Sequence, residues 1–224
     1  MAKPKITQAD NTLETKFNAE RDELLRRIWE LESHDMKSIK NHAVNVILDP
    51  DTAHPNLIVS PDGKQVKYAD RRQNLPDTPK RFNINSNVLG RKGFSSGKFY
   101  YEVLVKRQTL WDIGVAKESI NRKGQIRLAP VYGFWTILRT NGTYIAADDP
   151  DVLLSLKGEL QRVGVFVDYD AGLVSFYDAD CWDHIYSFTH ASFTEKIYPF
   201  FSPGASYGGQ NSAPFVILPV YPID

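Results

Sequence analysis

The chain has 224 residues, 42% of them hydrophobic, and its 27 basic and 27 acidic side chains cancel. That is enough apolar material for one full core plus an appendage, and a neutral chain has no general pull toward nucleic acid or an anionic membrane. No apolar run approaches the roughly 18 residues that span a bilayer, the first ten residues lack the apolar stretch of a signal peptide, and Cys181 is the single cysteine. No intrachain disulfide can form, so a reducing, cytoplasmic setting is expected, with no membrane insertion within the chain.

The first segment reads as helix. Residues 11–41 contain no Gly or Pro, and Leu13, Phe17, Leu24, Ile28 and Leu31 draw an apolar stripe down one face. Glu20, Arg21, Glu23, Arg26, Arg27 and Glu30 fill the remainder. The stripe is shorter than the three or four heptads of an independent coiled coil. Residues 1–42 are therefore expected to form a helical segment with two alternatives. Either it packs on its own domain, or it is the end of a longer coiled coil that pairs two copies as a homodimer.

From residue 43 to 224 the pattern changes to β. Val44, Val46 and Leu48 alternate with Asn45, Ile47 and Asp49 until Pro50. Strands are predicted at Lys98–Lys106, Leu110–Ala116, Tyr132–Leu138, Arg162–Asp168, Leu173–Tyr177, Ile185–Phe188, Ile197–Phe201 and Phe215–Leu218. Turns are marked by Pro61-Asp62-Gly63, Asn141-Gly142 and Asp170-Ala171-Gly172. Val163, Val165, Phe166 and Val167 form an almost continuous apolar run, as in a strand covered on both faces. Many short strands, no interleaved helices and no fixed-period repeat imply an all-β, two-sheet antiparallel β-sandwich with an N-terminal α-helical segment.

Catalytic patterns fail on context. Two stretches match G-x-S-x-G, at Gly93–Gly97 and Gly204–Gly208. A nucleophile elbow needs a strand before the serine and a helix after it. Ser95 leads into a strand, and Ser206 sits among Pro203, Gly208 and Gly209 in a loop. No two of His34, His42, His54, His184 and His190 have the i, i+4 spacing of a helical zinc site, and one cysteine cannot build a structural one. Asp148-Asp149-Pro150-Asp151 lacks the glycine and closing glutamate of a calcium loop. No catalytic residue, metal or cofactor is expected.

Eight motifs, in order, resemble the PRY-SPRY (B30.2) domain of tripartite-motif (TRIM) proteins and butyrophilins. Leu48-Asp49-Pro50, Thr52-Ala53-His54-Pro55 and Leu57-Ile58-Val59-Ser60 resemble the PRY opening. Asn87-Val88-Leu89-Gly90 with Phe94, then Tyr100-Tyr101-Glu102-Val103, resemble the start of SPRY, with Tyr101 where the family usually has tryptophan. Trp111-Asp112-Ile113-Gly114-Val115, Arg122-Lys123-Gly124, Gly133-Phe134-Trp135-Thr136, Val163 to Tyr169 and Tyr198 to Gly204 follow. The resemblance runs from Val44 to Val220, and it is closest to fish TRIM-type sequences. Trp111, Trp135, Phe134, Phe166, Phe176 and Phe200 read as core aromatics. Gly114, Gly133 and Gly164 read as points of close approach between strands or rings.

The resemblance implies a ligand groove built from variable loops. In an antibody-binding member, an acid, two tryptophans and a final aromatic make the contacts; here those positions hold Asp112, Leu138, Thr140 and Ala205, so antibody binding does not carry over. In phosphoantigen-sensing butyrophilins the pocket is basic. Here its positions hold Asp112, Ile145 and Asp151, with only Arg127 of the basic set retained, and a pyrophosphate would be repelled. The candidate groove therefore comprises Asp112, Lys117, Arg127, Leu138, Arg139, Thr140, Tyr144, Ala205 and Tyr207. Its implied ligand is a protein or peptide with at least one basic side chain. The implied parent is a TRIM-type E3 ubiquitin ligase of innate immunity whose RING and B-box are absent from this chain. Alternatives are the cytosolic tail of a butyrophilin-like receptor, in which residues 1–42 would be a juxtamembrane linker, and, third, a stand-alone fish SPRY or toxin-like protein.

Overall fold

Alternating in-and-out side chains on short extended runs leave each run one apolar face, and two such faces close on each other. The computed structural model describes residues 16–17, 20–21, 23–24, 26–27, 35–69, 71–204 and 213–221. Thirteen strands are seen among them: β1 (Leu57–Val59), β2 (Gln65–Tyr68), β3 (Val88–Leu89), β4 (Lys98–Leu104), β5 (Trp111–Lys117), β6 (Phe134–Thr140), β7 (Thr143–Ala146), β8 (Val152–Leu154), β9 (Arg162–Asp168), β10 (Leu173–Asp178), β11 (His184–Phe188), β12 (Ile197–Pro203) and β13 (Phe215–Leu218). A 3₁₀ turn at Pro130–Tyr132 precedes β6.

All strand pairs are antiparallel. One sheet has the order β1-β2-β13-β4-β9-β10-β11, the other β3-β12-β5-β6-β7-β8. The two-sheet antiparallel sandwich expected from the sequence is the observed fold. Its central layer holds Phe99, Tyr101, Val103, Trp111, Ile113, Val115, Trp135, Val163, Val165, Val167, Phe176 and Phe201. The outer face of each sheet is also partly covered. Phe82, Leu89, Ala116, Ile120, Phe134 and Phe200 form a cluster outside the second sheet. Ile39, Tyr100 and Phe166 form one outside the first. Phe166 thus explains why β9 is apolar on both sides. All six aromatics read as core are buried.

Three sequence expectations change. Residues 44–48 alternate in burial but form no strand; the segment packs Val46 and Leu48 into the core and pairs with the sheets through isolated bridges, Ala43 to Tyr100 and Leu48 to Gly90. The strand expected from Tyr132 starts at Phe134, because the 3₁₀ turn and Gly133 (φ 85°) occupy its first positions. Residues 35–40 are helical and, although grouped by sequence with the N-terminal segment, pack on the sandwich through Ile39.

Of the apolar stripe, Leu13, Ile28 and Leu31 lie outside the described residues. Phe17 and Leu24, seven positions apart, are helical and 66% and 59% exposed, so this part of the stripe does not pack on the sandwich.

Lys40 fixes the helical turn in place. Its ammonium lies 3.6 Å from the buried Glu102 carboxylate and 5.0 Å from the centre of the Trp182 ring. Arg162 reaches the other Glu102 oxygen at 3.6 Å, and the Tyr100 hydroxyl donates to Glu102 at 3.0 Å. Burial, reinforced by this neighbouring carboxylate, pushes the Tyr100 hydroxyl pKa upward. Removing one member of a buried charged group leaves the others uncompensated. Glu102→Ala should therefore cost about 3 kcal/mol in urea unfolding and speed amide exchange across residues 35–43. A loss too small to measure would show that the group is neutral to stability.

Candidate ligand-binding face

Trp111 points into the core, so the next residue on β5, Asp112, points out. The registers extend its row across the second sheet. Ser202 on β12 faces Asp112, Asp112 faces Leu138, Leu138 faces Ile145, and Ile145 faces Leu153 on β8. One acid at the inner end is thus followed by three aliphatic side chains. Leu153 is 68% exposed. Thr140 lies two residues beyond Leu138 on the same face. The Asn141-Gly142 turn joining β6 to β7 has φ of 51° and 78°, the left-handed pair of a tight two-residue hairpin. This hairpin holds Leu138 and Ile145 side by side.

Asp112 is half-buried, and burial pushes its carboxyl up to about 6 from its ordinary 3.8. The Ser202 hydroxyl pulls the other way by hydrogen bonding, and less strongly. No cation among the described residues forms an ion pair with Asp112. A carboxylate that is desolvated and lacks a countercharge is stabilised by an incoming ammonium or guanidinium more than an exposed one would be.

The structure brings together Asp112, Leu138 and Thr140, and separates Lys117, Arg127, Arg139 and Tyr144 from them. Arg139 stands opposite Trp111, on the inward side of the sheet, and Tyr144 pairs with Arg139. Arg139 donates to the Gln108 carbonyl at 2.8 Å and to Glu159 at 2.6 Å. Tyr144 is buried, and its hydroxyl accepts the Leu160 amide at 3.1 Å. Both brace the rim from within, so they are not groove residues. Lys117 is at the far end of β5, five residues from Asp112, or about 17 Å at the usual rise. With Arg127 it lines a separate cleft of about 560 Å³ beside the exposed Val131 and Tyr132. Arg127 there lies 3.8 Å from Asp149. Ala205 and Tyr207 lie outside the described residues; Ser202 to Gly204 lead directly into them.

The residues missed by sequence are Ile145, Leu153 and Ser202. Period-two alternation through the hairpin carries the signal for Ile145. The Asp112–Leu153 row is an open shelf, a shape suited to a polypeptide rather than to an enclosed small molecule.

Comparison with known proteins agrees with this architecture. The SPRY-associated domain family (PRY) matches residues 46–94, and the SPRY domain family matches residues 98–214. Human "E3 ubiquitin-protein ligase TRIM68" is 46% identical over 181 residues, covering 80% of this chain and 37% of that protein. Human "Erythroid membrane-associated protein" is 39% identical over 223 residues, covering 95% of this chain and 46% of that protein. The chain therefore spans less than half the length of these relatives. Among solved structures, the TRIM65 PSpry domain superposes with a TM-score of 0.69 at 19% identity, covering 82% of this chain and 94% of that one, a likeness of fold. Among the described residues no helix is long and apolar enough to cross a membrane. SPRY domains are in general protein-interaction modules, and with PRY directly ahead of SPRY this chain belongs to the SPRY family as a B30.2 domain.

Proposed function

We propose that the domain is a non-catalytic recognition module that binds a polypeptide carrying at least one Arg or Lys. The ligand lies across Asp112, Leu138, Ile145 and Leu153 on the outer face of the second sheet. The observation that carries this reading is the desolvated Asp112 carboxylate, with no ion-pair partner among the described residues, at the head of an aliphatic row. A basic side chain supplies the missing countercharge, and the row takes apolar neighbours. The parent protein, on this reading, is a cytoplasmic E3 ubiquitin ligase of the TRIM type acting in innate immunity, with this domain choosing its substrate. The likeness to TRIM68 supports it.

A specific observation favours a second reading, a receptor tail. The likeness to the erythroid membrane-associated protein extends over 95% of the chain. Coding sequence upstream of Met1 separates the two: a RING and B-box zinc pattern supports the ligase, a membrane-spanning run the receptor.

Selection of random displayed peptides on the immobilised full chain tests the binding face. Enriched peptides should carry a basic residue flanked by apolar ones. Enrichment of acidic or uncharged peptides would count against the reading. The uncovered Phe17 and Leu24 further suggest that the N-terminal helix pairs two copies, which would raise avidity for repetitive targets by roughly a hundredfold or more. Sedimentation of the full chain should then show a concentration-dependent dimer, and a monomer at every concentration would exclude the pairing.

A further inference from the structure

The outermost strand of the second sheet, β8, has no further strand beside it among the described residues. The hairpin determines which of its backbone groups face outward. In a two-residue hairpin the closing pair, here Thr140 and Thr143, is hydrogen-bonded, and the bonded pairs then alternate. Leu138 and Ile145 form the next bonded pair, so the Ile145 N–H and C=O point toward β6. The bond from the Ala147 amide to the Thr136 carbonyl, 3.0 Å, continues the same alternation. Tyr144 and Ala146 are left to bond β8, through Leu154 and Val152. Leu153, between them, must direct its own N–H and C=O away from the sheet.

At this one residue a free backbone donor and acceptor coincide with a large exposed aliphatic side chain. A cleft of about 470 Å³ opens beside residues 153–156, lined by Leu153, Leu154, Leu156, Tyr144 and the ion-paired Arg139 and Glu159 among others. The side chains of Asp149 and Asp151, just before the strand, are exposed.

We propose that β8 is a strand-addition site for an extended segment of a partner protein. The segment is apolar at alternate positions and basic at the end that lies beside Asp149 and Asp151. Its residue opposite Leu153 exchanges two backbone hydrogen bonds with it. An apolar side chain on one face continues the Leu138–Ile145–Leu153 row, and a neighbour fills the cleft. The basic end answers Asp151 and Asp149, the latter already approached by Arg127 at 3.8 Å. A second copy of the chain is a poorer occupant, because a self-paired edge of three residues buries far less than the roughly 800 Å² per partner of a stable interface. The site shares Leu153 with the proposed binding face and rests on that reading only there; Asp112 lies three strands away, so loss of basic-peptide binding in Asp112→Ala with strand addition intact separates the two.

The test uses the full chain and a synthetic peptide of alternating valine and threonine with lysines at both ends. The peptide should bind and slow exchange of the Leu153 amide at least tenfold at saturation. The same peptide methylated on alternate backbone nitrogens should bind at least tenfold more weakly, as should an analogue with glutamates in place of the lysines. Leu153→Pro removes the outward N–H together with the leucine side chain, a change tolerated at a sheet edge, and should abolish binding without changing the melting temperature. Leu153→Thr, which keeps the N–H, should retain most of the binding. Equal binding of the methylated or acidic peptide, or an unchanged Leu153 amide, overturns the proposal. So does a dimer in sedimentation that persists without Phe17 and Leu24 but is lost in Leu153→Pro, since that assigns the edge to a second copy.

Discussion

Asp112→Ala should weaken a selected basic peptide by at least tenfold, and roughly thirtyfold if the residue is central to the interface. The same substitution should not destabilise the fold at neutral pH. The folded carboxyl titrates at about 6, above its ordinary 3.8. The cost of holding it ionised is fully present above pH 6 and gone below about pH 4. Asp112→Asn should therefore raise stability at pH 7.5, by no more than about 3 kcal/mol, and the gain should fade as pH falls from 6 to 4. Binding carries the opposite sign. Only the ionised form pairs with a cation, so affinity for a basic peptide should fall about tenfold between pH 7.5 and pH 5, and the Asn variant should show no such dependence. Calorimetric titration at the two pH values, with thermal melts beside it, measures both. If Asp112 instead braces a loop, the variant loses stability and binding together at pH 7.5.

Gly114→Ala should damage the fold far more than its one carbon suggests. A Cβ at this position of β5 would lie 2.0 Å from the Trp135 carbonyl oxygen and 2.8 Å from the Thr136 Cα. Both are backbone atoms of the neighbouring strand and cannot swing aside. The Tyr101 hydroxyl, bonded to the Gly114 carbonyl at 2.6 Å, holds the strand from the other side. β5 and β6 would have to separate beneath Asp112, at more than about 3 kcal/mol and roughly 10 °C in melting temperature. Gly142→Ala is the contrast. Its φ is 78°, but nothing lies within 4 Å of the added carbon. Only the backbone preference is lost, about 1 kcal/mol. Similar losses for the two variants would show that the strands can part freely.

The comparison of sequence with structure separates what pattern carries from what geometry adds. Strands β4, β5, β6 and β9–β13 were legible because each is long enough, or apolar enough, to show its period. β1, β2, β3, β7 and β8 have two to four residues each, too few for a period to register. Two of the three glycines read as close approaches of strands or rings prove so, Gly114 against the Trp135 backbone and Gly164 against the Tyr100 ring; Gly133 meets the Lys117 side chain instead, and its φ of 85° is what favours glycine. The site was half legible. Trp111 inward implies Asp112 outward, and the same parity carried across to β6 and β7 would have turned Arg139 and Tyr144 inward. Lys117 and Arg127 were grouped with Asp112 by charge, but separation along a strand is not visible in charge. The β8 edge depends on which hairpin pairs are hydrogen-bonded, a property of the folded backbone.

The order of strands also bears on how the protein is made. β12 lies between β3 and β5, and β13 between β2 and β4, so the last strands translated occupy interior places in both sheets. Until residues 197–218 leave the ribosome, each sheet is split, with raw strand edges facing the gap. Most of the pairing between strands far apart in sequence must then wait for residues 197–218, a late closure that leaves the nascent domain dependent on chaperones. A message ending after β11 should yield aggregate rather than a smaller soluble domain.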